Sequence, residues 1–320
     1  MQKNIHYFRR QEHTRVIAPE EYFIGEDIHI MPKPHPIDFS DGYFKFNETA
    51  LIIFEKGETC ESVNMQEYHI KAPAVLTILS GSIYSHIWHS EGTECRVIIY
   101  SKRFIENLLP NVVQFHPVKE AILKMPLIEG DKAVEVYNHY LDMLVALAKD
   151  CTTIYKLEAA KHLTLAMYYA YTYSLHATPL KRVGRKDDIY TQFINLVNKH
   201  FRTHRDVHYY ADRLCITVKY LSQVVKEHAK HSALKVIDQY VIAESKALLS
   251  SHTMGIQEIA DALNFPSQSA FGKYFKRVTG VSPREYRNRG QKANLNPRGL
   301  VKYLPDTDTY QQVGTGDGDN

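Results

Sequence analysis

The pattern of apolar and polar positions divides the chain into a strand-like half and a helical half. Between Tyr43 and Ser101, short runs of β-branched and aromatic residues are separated by Gly, Pro and Asn, as in ALIIFEKG, AVLTILSGSIYSHIW and CRVIIYS. Runs of this length and composition are typical of antiparallel strands. The pattern therefore predicts a small β-barrel or sandwich in this half.

From about Pro117 the apolar residues recur with helical spacing. One helix is predicted at 131–149 and a second long helix at 154–175. Two helices beside a β unit can cover its core or pair two copies of the chain, and the pattern leaves both roles open. The apolar stripe of the first helix consists of Val134, Tyr137, Leu141, Leu144 and Leu147 or Ala148.

A weak internal repeat appears after ATPLKRVGRKDD, whose Pro, Gly and clustered charges predict a linker at residues 177–188. YADRL at 210–214 aligns with IADAL at 259–263, and Leu221 aligns with Phe271 after one extra residue in the second copy. In each copy a short helix ends at a tight turn and a second helix begins at once. This repeat predicts two helix-turn-helix units.

The second helix of each unit has an apolar face and a polar face. The apolar stripes consist of Val218, Leu221, Val224 and Val225, and of Phe271, Tyr274, Phe275 and Val278. The polar faces carry Gln, Ser and Lys, whose donors can reach base edges or phosphates from the major groove of DNA. These outward residues include Lys219, Ser222, Gln223 and Lys226 in the first helix, and Gln268, Ser269, Lys273 and Lys276 in the second.

The segment between the two units, 233–251, predicts one continuous helix. Its apolar stripe is expected to comprise Leu234, Ile237, Val241 and Leu248. Nineteen helical residues span roughly 28 Å. Because successive major-groove segments on one face of DNA lie about 34 Å apart, such a helix could hold both recognition helices in adjacent grooves.

Charge is distributed unevenly along the chain. Residues 181–290 contain 19 Lys and Arg against 10 Asp and Glu, whereas residues 1–180 contain 17 against 22. A basic segment behind an acidic one indicates a polyanion-binding module attached to a domain with another task. A solvated charged face would give the same balance, so charge alone does not decide between the two interpretations.

The remaining sequence features favour a cytoplasmic location without a membrane. The N-terminal MQKNIHYFRRQEHTR is polar throughout, and the apolar run LTLAMYYAYTYSL is shorter than the roughly 20 residues that cross a bilayer. The cysteines, Cys60, Cys95, Cys151 and Cys215, are isolated along the chain. We therefore expect neither a disulfide framework nor a zinc finger.

The stretch EIADALNF followed by FGKYFKRVTGVSPREYR resembles the DNA-binding domain of the AraC/XylS family of bacterial transcription regulators. The resemblance extends over about 189–287. Asn264 and Lys230 stand where the family usually has Gly, and Val241 stands where its linker helix often has Arg. The resemblance implies base-facing positions at Lys219, Ser222, Gln223, Gln268, Ser269, Ala270 and Lys273, which agrees with the polar faces described above.

In architecture alone, the N-terminal half resembles the sensor half of these regulators. The resemblance implies an α+β protein with a cupin-like β-barrel and dimerisation helices at 1–176 and an all-α DNA-binding domain at 189–290, joined by the linker at 177–188. The tail contains hardly any apolar residues, which predicts a partly disordered extension at 291–320. The expected partners are promoter DNA, a second copy of the chain, a small-molecule effector and RNA polymerase, with no cofactor. Aromatic and His side chains at a barrel mouth suit a small polar ligand, and the candidates are Tyr43, Phe46, His69, Tyr84, His86 and Trp88.

Three other function classes were weighed against a regulator. A metal-dependent cupin enzyme fused to DNA-binding helices needs converging ligands, yet residues three apart on a strand, such as His86 and His89, point to opposite faces. A DNA-repair protein with a nucleophilic cysteine needs an activated thiol, for which Cys95 beside Arg96 is the one hint. A structural nucleoid protein would not need mixed Gln, Ser and Lys faces. We therefore predict a sequence-specific regulator with no catalytic or metal site.

Overall fold

The computed structural model of the protein describes residues 21–32, 43–108, 121–150, 154–177, 184–250 and 253–294. Most of the predicted C-terminal extension and the middle of the predicted linker lie outside the described residues. The strands are β1 (Tyr22–Ile24), β2 (Ile28–Met31), β3 (Phe44–Lys45), β4 (Thr49–Lys56), β5 (Glu58–Val63), β6 (Gln66–Lys71), β7 (Ala74–Ile78), β8 (Ile83–His89), β9 (Glu94–Tyr100) and β10 (Leu127–Glu129).

The helices are α1 (Lys102–Leu108), α2 (Asp131–Lys149), α3 (Lys156–Ala177), α4 (Arg185–His200), α5 (Val207–Arg213), α6 (Val218–Ala229), α7 (Ala233–Ser250), α8 (Ile256–Ala262), α9 (Gln268–Thr279) and α10 (Pro283–Asn294). Apart from α1, which lies between β9 and β10, these helices follow the last strand. The predicted linker at 177–188 thus overlaps the end of α3 and the start of α4. Within the described residues, no helix combines the length and apolar character needed to span a membrane.

The strands form two antiparallel sheets that pack face to face. The large sheet has the order β1-β2-β9-β4-β7-β10, and the small sheet has the order β3-β8-β5-β6. Apolar side chains from both sheets fill the space between them, and they include Met31, Phe46, Ile52, Val63, Leu76, Tyr84, Val97 and Ile99. Among the described strands, no ladder joins one sheet to the other, so the expected closed barrel is corrected to a two-sheet sandwich.

Helices α2 and α3 cover the outer face of the large sheet. The predicted stripe of α2 is confirmed, because Val134, Tyr137, Leu141 and Leu144 are buried against this face. The large sheet is therefore the middle layer of the N-terminal half, and its central strands carry apolar residues on both faces. Much of the apolar surface of α2 therefore covers the core of its own chain.

Helix α7 is the centre of the helical half. It packs against α4, α6, α8, α9 and α10 and also against β3 and β8. The predicted continuous helix is confirmed, and of its expected stripe Ile237 and Val241 are buried whereas Leu234 is 46% exposed. Val236, Tyr240 and Ile242, which lie outside that stripe, are buried as well. A helix surrounded on nearly all sides needs apolar residues on more than one face.

The turn between β5 and β6 docks the sandwich onto the helical half. Asn64 and Met65 both have positive φ, of 53° and 67°, as the two central residues of a tight hairpin turn require. Met65 is 1% exposed and belongs to the same core cluster as α4 and α7. The Asn64 carbonyl accepts from the Tyr190 hydroxyl at 2.6 Å, and its side-chain Oδ1 accepts from the Tyr240 hydroxyl at 2.9 Å.

A partly buried ion pair joins the two halves beside this turn. Lys45 of β3 donates to Glu244 of α7 at 3.1 Å, and its ammonium lies 4.8 Å from the ring centroid of Phe201. Arg202 also donates to Glu244. Burial would raise the pKa of Glu244, but the two cations outweigh it and the net pKa is lowered.

Candidate nucleic-acid interface

The first helix-turn-helix unit is built from α5, a short turn and α6. The turn is closed by two backbone hydrogen bonds, from Ile216 N to the Ala211 carbonyl and from Cys215 N to the Asp212 carbonyl, both 3.0 Å. Thr217 is the N-cap of α6, and its hydroxyl accepts from Tyr220 N at 3.2 Å. The cap satisfies one of the free amides at the start of the recognition helix.

The second unit repeats these bonds at α8 and α9. Phe265 N donates to the Ala260 carbonyl at 2.8 Å, and Asn264 N donates to the Asp261 carbonyl at 2.9 Å. The Ser267 hydroxyl caps α9 by accepting from Ala270 N at 3.1 Å. The predicted internal repeat is thus confirmed at the level of individual hydrogen bonds.

Left-handed backbone conformations occur at equivalent positions of the two units. The turns contain Cys215 and Asn264, both with φ of 54°. The recognition helices end at Lys230, with φ of 57°, and at Gly280, with φ of 80°. Lys230 therefore adopts the conformation for which glycine is the usual C-cap residue, although it carries a side chain.

The predicted DNA-contacting side chains lie on the solvent face of the two recognition helices. Leu221, Val224, Val225, Phe271 and Phe275 form the buried faces. The exposed residues are Lys219, Gln223 and Lys226 in α6, and Gln268, Ser269, Lys273 and Lys276 in α9, while Ser222 and Ala270 are half-buried. No acidic residue occupies the first two turns of either helix, so a phosphate can approach both.

Glu227 in the third turn of α6 modifies the first recognition face. Its carboxylate accepts from Gln223 at 3.0 Å and from Lys186 of α4 at 2.7 and 2.9 Å. The hydrogen bond from Lys186, followed by that from Gln223, lowers the pKa of Glu227. In the free protein, Gln223 is thus held by a carboxylate rather than left open for a base.

Arg205 links the two units, a role that the sequence pattern did not reveal. Its guanidinium donates to the carbonyl of Leu263 in the second turn and to the carbonyl of Arg202 at 2.9 Å. The guanidinium carbon also lies 3.8 Å from the ring centroid of Phe265. These contacts fix the segment before α5 against the turn that precedes α9.

Asp238 of α7 fixes the second recognition helix to the central helix. This buried carboxylate accepts from the Tyr274 hydroxyl at 2.5 Å and from Arg277 at 3.4 Å. Burial, and then the nearby Asp238 carboxylate, raises the pKa of Tyr274 well above its ordinary range, so the hydroxyl remains a donor at neutral pH. Sequence reasoning placed Tyr274 on the apolar stripe and did not identify its acidic partner.

Only Phe46, Tyr84 and His86 of the candidate effector residues come together, whereas Tyr43, His69 and Trp88 lie elsewhere. Phe46 and Tyr84 lie between the sheets, with ring centroids 5.6 Å apart in an edge-to-face arrangement. Tyr43 packs against the core of the helical half. His69 and Trp88 are paired with Cys60 from its two neighbouring strands, so both lie on the outer face of the small sheet.

A buried carboxylate that was not among the candidates lies between the sheets. Glu61 is 2% exposed and accepts from the hydroxyls of Thr59 at 2.6 Å and Tyr84 at 2.7 Å. His86 Nδ1 lies 3.0 Å from the same carboxylate, and His86 Nε2 lies 2.9 Å from Nδ1 of His89. An ionised carboxylate only accepts hydrogen bonds, and in that state the Nδ1–H of His86 is the donor to Glu61.

The prediction that His86 and His89 point to opposite faces is wrong. The register between β5 and β8 shifts by one residue, since Glu61 pairs with His86 whereas Cys60 pairs with Trp88. The extra residue in β8 reverses the alternation and brings both imidazoles to one side. Both nitrogens of His86 are already engaged, however, by Glu61 and His89.

Cys95 lacks the features of a nucleophile. Burial, and then the carboxylates of Glu61 and Glu55, raises the pKa of its thiol to about 12. The neighbouring Arg96 donates to Asn138 at 3.2 Å and also to Asp142, so its charge is directed to α2. A protonated thiol of this kind is unreactive at neutral pH.

Comparison with known proteins identifies the helical half. A family model described as a helix-turn-helix domain matches residues 210–289. The arabinose operon regulatory protein of Salmonella typhimurium is 31% identical over 85 residues, which cover 27% of this chain and 30% of that protein. The uncharacterized HTH-type transcriptional regulator YdiP of Escherichia coli is 19% identical over 248 residues, which cover 76% of this chain and 79% of that protein.

Among solved structures, that of ToxT from Vibrio cholerae with a bound unsaturated fatty acid aligns with a TM-score of 0.40 at 15% identity. The alignment covers 83% of this chain and 95% of that one. The family model falls on the two units whose turns, caps and recognition helices repeat bond by bond. Residues 210–289 therefore form a helix-turn-helix domain that is similar to the corresponding part of the arabinose operon regulatory proteins.

Proposed function

We propose that the protein is a sequence-specific transcription regulator that binds promoter DNA through α6 and α9. The observation that carries this proposal is the pair of equivalent recognition helices, each anchored by a buried face and each presenting Gln, Ser and Lys to solvent. Mixed donors of this kind can discriminate between base pairs, whereas Lys alone would mainly contact phosphates.

The relatives support regulation of an operon. The chain matches the arabinose regulator over less than a third of that protein's length, so the shared part is the DNA-binding module. A raffinose operon regulator of Pediococcus pentosaceus is 32% identical over 74 residues, which cover 27% of that protein. The match to YdiP extends through most of both chains and favours a regulator as a whole.

The N-terminal sandwich is proposed to bind a small polar effector between its sheets. Glu61 offers a buried acceptor, and His86 and His89 extend from it toward the exposed end of β8. Phe46 and Tyr84 supply the aromatic surroundings that such sites use. A second copy of the chain and RNA polymerase complete the proposed partners.

The proposal is tested by selecting bound sequences from a random double-stranded DNA pool with the full chain. We expect one recurrent motif with two half-sites about 10 base pairs apart. Affinity for that motif should fall steeply with salt, with a log-log slope of about 0.9 for each phosphate contacted. Enrichment of no motif would leave a non-specific DNA-binding protein and contradict the proposal.

A further inference from the structure

Three side chains with metal-binding atoms meet on the outer face of the small sheet. In the antiparallel register of β5 and β6, Cys60 pairs with His69 and Ser62 pairs with Glu67. Directly opposed residues of two strands point to the same face, and residues two apart on one strand do so as well. Cys60, Glu67 and His69 therefore share one face of the hairpin formed by β5 and β6.

The distances suit a single small cation. One ligand atom from each residue, the thiol sulfur, a carboxylate oxygen and an imidazole nitrogen, lies within 4.8 Å of the other two. Zinc bonds of about 2.0–2.3 Å in tetrahedral geometry separate ligand atoms by about 3.3–3.8 Å. Cys60 is buried, whereas Glu67 and His69 are exposed, so modest side-chain rotations of these two can close the difference.

Other interactions do not account for the cluster. Within the described part of the chain, the side chains of Glu67 and His69 make no hydrogen bond or ion pair. The nearest basic residue along β6, Lys71, is paired instead with Glu58. The positions are therefore available to a ligand that this chain does not supply.

We propose that Cys60, Glu67 and His69 form a binding site for a thiophilic divalent cation, with Zn²⁺ as the best match. A soft sulfur together with an imidazole and one carboxylate favours Zn²⁺ over the harder Mg²⁺ and Ca²⁺, which take oxygen ligands. Solvent reaches the site from the side of the two exposed residues. Three protein ligands with one open position leave room for a water or an external ligand in the fourth place.

The position of the site connects it to the DNA-binding half. A cation bound there links β5 to β6 a few residues from the turn in which Asn64 and Met65 dock onto α4 and α7. Metal binding would thus stiffen the hairpin that joins the two halves. The metal-binding step itself does not rest on the proposed regulatory function.

The test uses the full chain and Co²⁺ as a spectroscopic probe for Zn²⁺. We expect one Co²⁺ per chain, with a near-ultraviolet thiolate-to-metal charge-transfer band that disappears when Zn²⁺ is added. Cys60→Ala should abolish the band. His69→Gln and Glu67→Gln should keep a thiolate ligand but weaken Co²⁺ binding by at least about tenfold, the range seen for lost supporting groups.

Controls separate this site from other thiols and from misfolding. Cys215→Ser removes an exposed cysteine in the helical half and should leave the band and the affinity unchanged. His69 and Glu67 are exposed, so their variants should melt like the original protein and report on binding alone. The proposal is overturned if the original protein shows no thiolate band, or if the band and affinity persist in Cys60→Ala and His69→Gln.

Discussion

At the scale of single residues, Glu48 shows how burial sets a dependence on pH. It lies between β3 and β4, and burial raises the pKa of its carboxyl group to about 7. The folded protein therefore keeps this proton to a higher pH than the unfolded chain does. Accordingly, the free energy of unfolding should fall as the pH rises from about 4.5 to about 7 and then level off.

Replacing Glu48 by Gln should remove the loss of stability that ionisation of this buried carboxyl group causes at higher pH. At about pH 8, Glu48→Gln should raise the free energy of unfolding by up to about 3 kcal/mol, whereas at about pH 4 it should have little effect. Urea unfolding of both proteins at several pH values measures the change in the free energy of unfolding at each pH. Glu91→Gln at an exposed position is the matched control. A Glu48→Gln profile parallel to that of the original protein would contradict this explanation.

Lys230 and Gly280 provide a second comparison at this scale, because both are left-handed C-caps of recognition helices. Lys230→Gly should relieve steric strain and raise the free energy of unfolding by about 1 kcal/mol. Gly280→Ala should lower it by about 1–2 kcal/mol, even though the added methyl group meets no atom within 4 Å. If both substitutions lowered the free energy of unfolding equally, backbone strain at the C-caps of α6 and α9 would not determine the stability of these helix ends.

At the scale of elements, the two faces of α9 have separable tasks. Gln268 is exposed and lies at the start of the helix, so Gln268→Ala should cost about 1–3 kcal/mol on the preferred operator and relax discrimination at one base pair. The melting temperature should stay nearly unchanged. Phe275 is fully buried, so Phe275→Ala should lower folding stability by about 3–5 kcal/mol and weaken binding to every sequence.

A melting curve and binding assays on matched and mismatched operators distinguish the two variants. Ser269→Ala is a suitable second variant of the exposed face of α9, because Ser269 is adjacent to Gln268 and is also exposed. If Gln268→Ala weakened binding to all DNA equally, or if Phe275→Ala altered specificity without altering stability, the assignment of faces would be reversed.

The helix-turn-helix units were predictable because their information is local. Turn residues, caps and a period of three to four residues all lie within about 20 positions of one another, and the repeat supplied a second copy as a check. The contacts of Arg205 and Asp238 were not predictable in this way. Their partners, Leu263 and Tyr274, lie 58 and 36 residues further along the chain, and nothing in the local pattern marks such pairs.

In the strands, a single extra residue in β8 made the predicted orientation of His86 and His89 wrong. Alternation with period two requires an unbroken ladder, and the register shift beside Glu61 reverses the face of His89 relative to His86. The same long-range pairing placed Cys60 opposite His69. The isolated position of Cys60 along the chain gave no indication that His69 would be its neighbour. Which residues of β5 and β6 face each other depends on the position of the two-residue turn between the strands, and the sequence pattern did not locate that turn.

At the scale of the whole molecule, the relation between the halves is the feature that sequence reasoning missed most completely. A boundary near residue 180 suggested two units connected by a linker. That interpretation did not indicate how the units pack: Met65 and Ile83 of the sandwich are part of the core cluster of the helical half, and Lys45 forms a partly buried ion pair with Glu244. These contacts join residues that are far apart in the sequence, so they cannot be predicted from composition or from local periodicity.

The last prediction concerns self-association through α2 and α3. One face of α2 is buried against the large sheet, yet Val136 and Met143, one heptad apart, remain 46% and 52% exposed on another face. Tyr169 of α3 is also 48% exposed. Such apolar surface is typical of an interface, so we expect the full chain to form dimers in sedimentation experiments.

Introducing a charge should separate the dimers without unfolding the chain. Val136→Glu and Met143→Glu place carboxylates on the exposed face, and burying them against a second copy would require their desolvation. We expect dimer dissociation to become at least tenfold easier, a change of about 1.4 kcal/mol. Asn47→Glu adds the same charge at an exposed position outside both helices and should leave association unaltered. A full chain that sediments as a monomer at high micromolar concentration would contradict self-association. Dimers that are unaffected by both substitutions would show that the interface lies elsewhere, because burying unpaired carboxylates in an apolar contact carries a large desolvation cost.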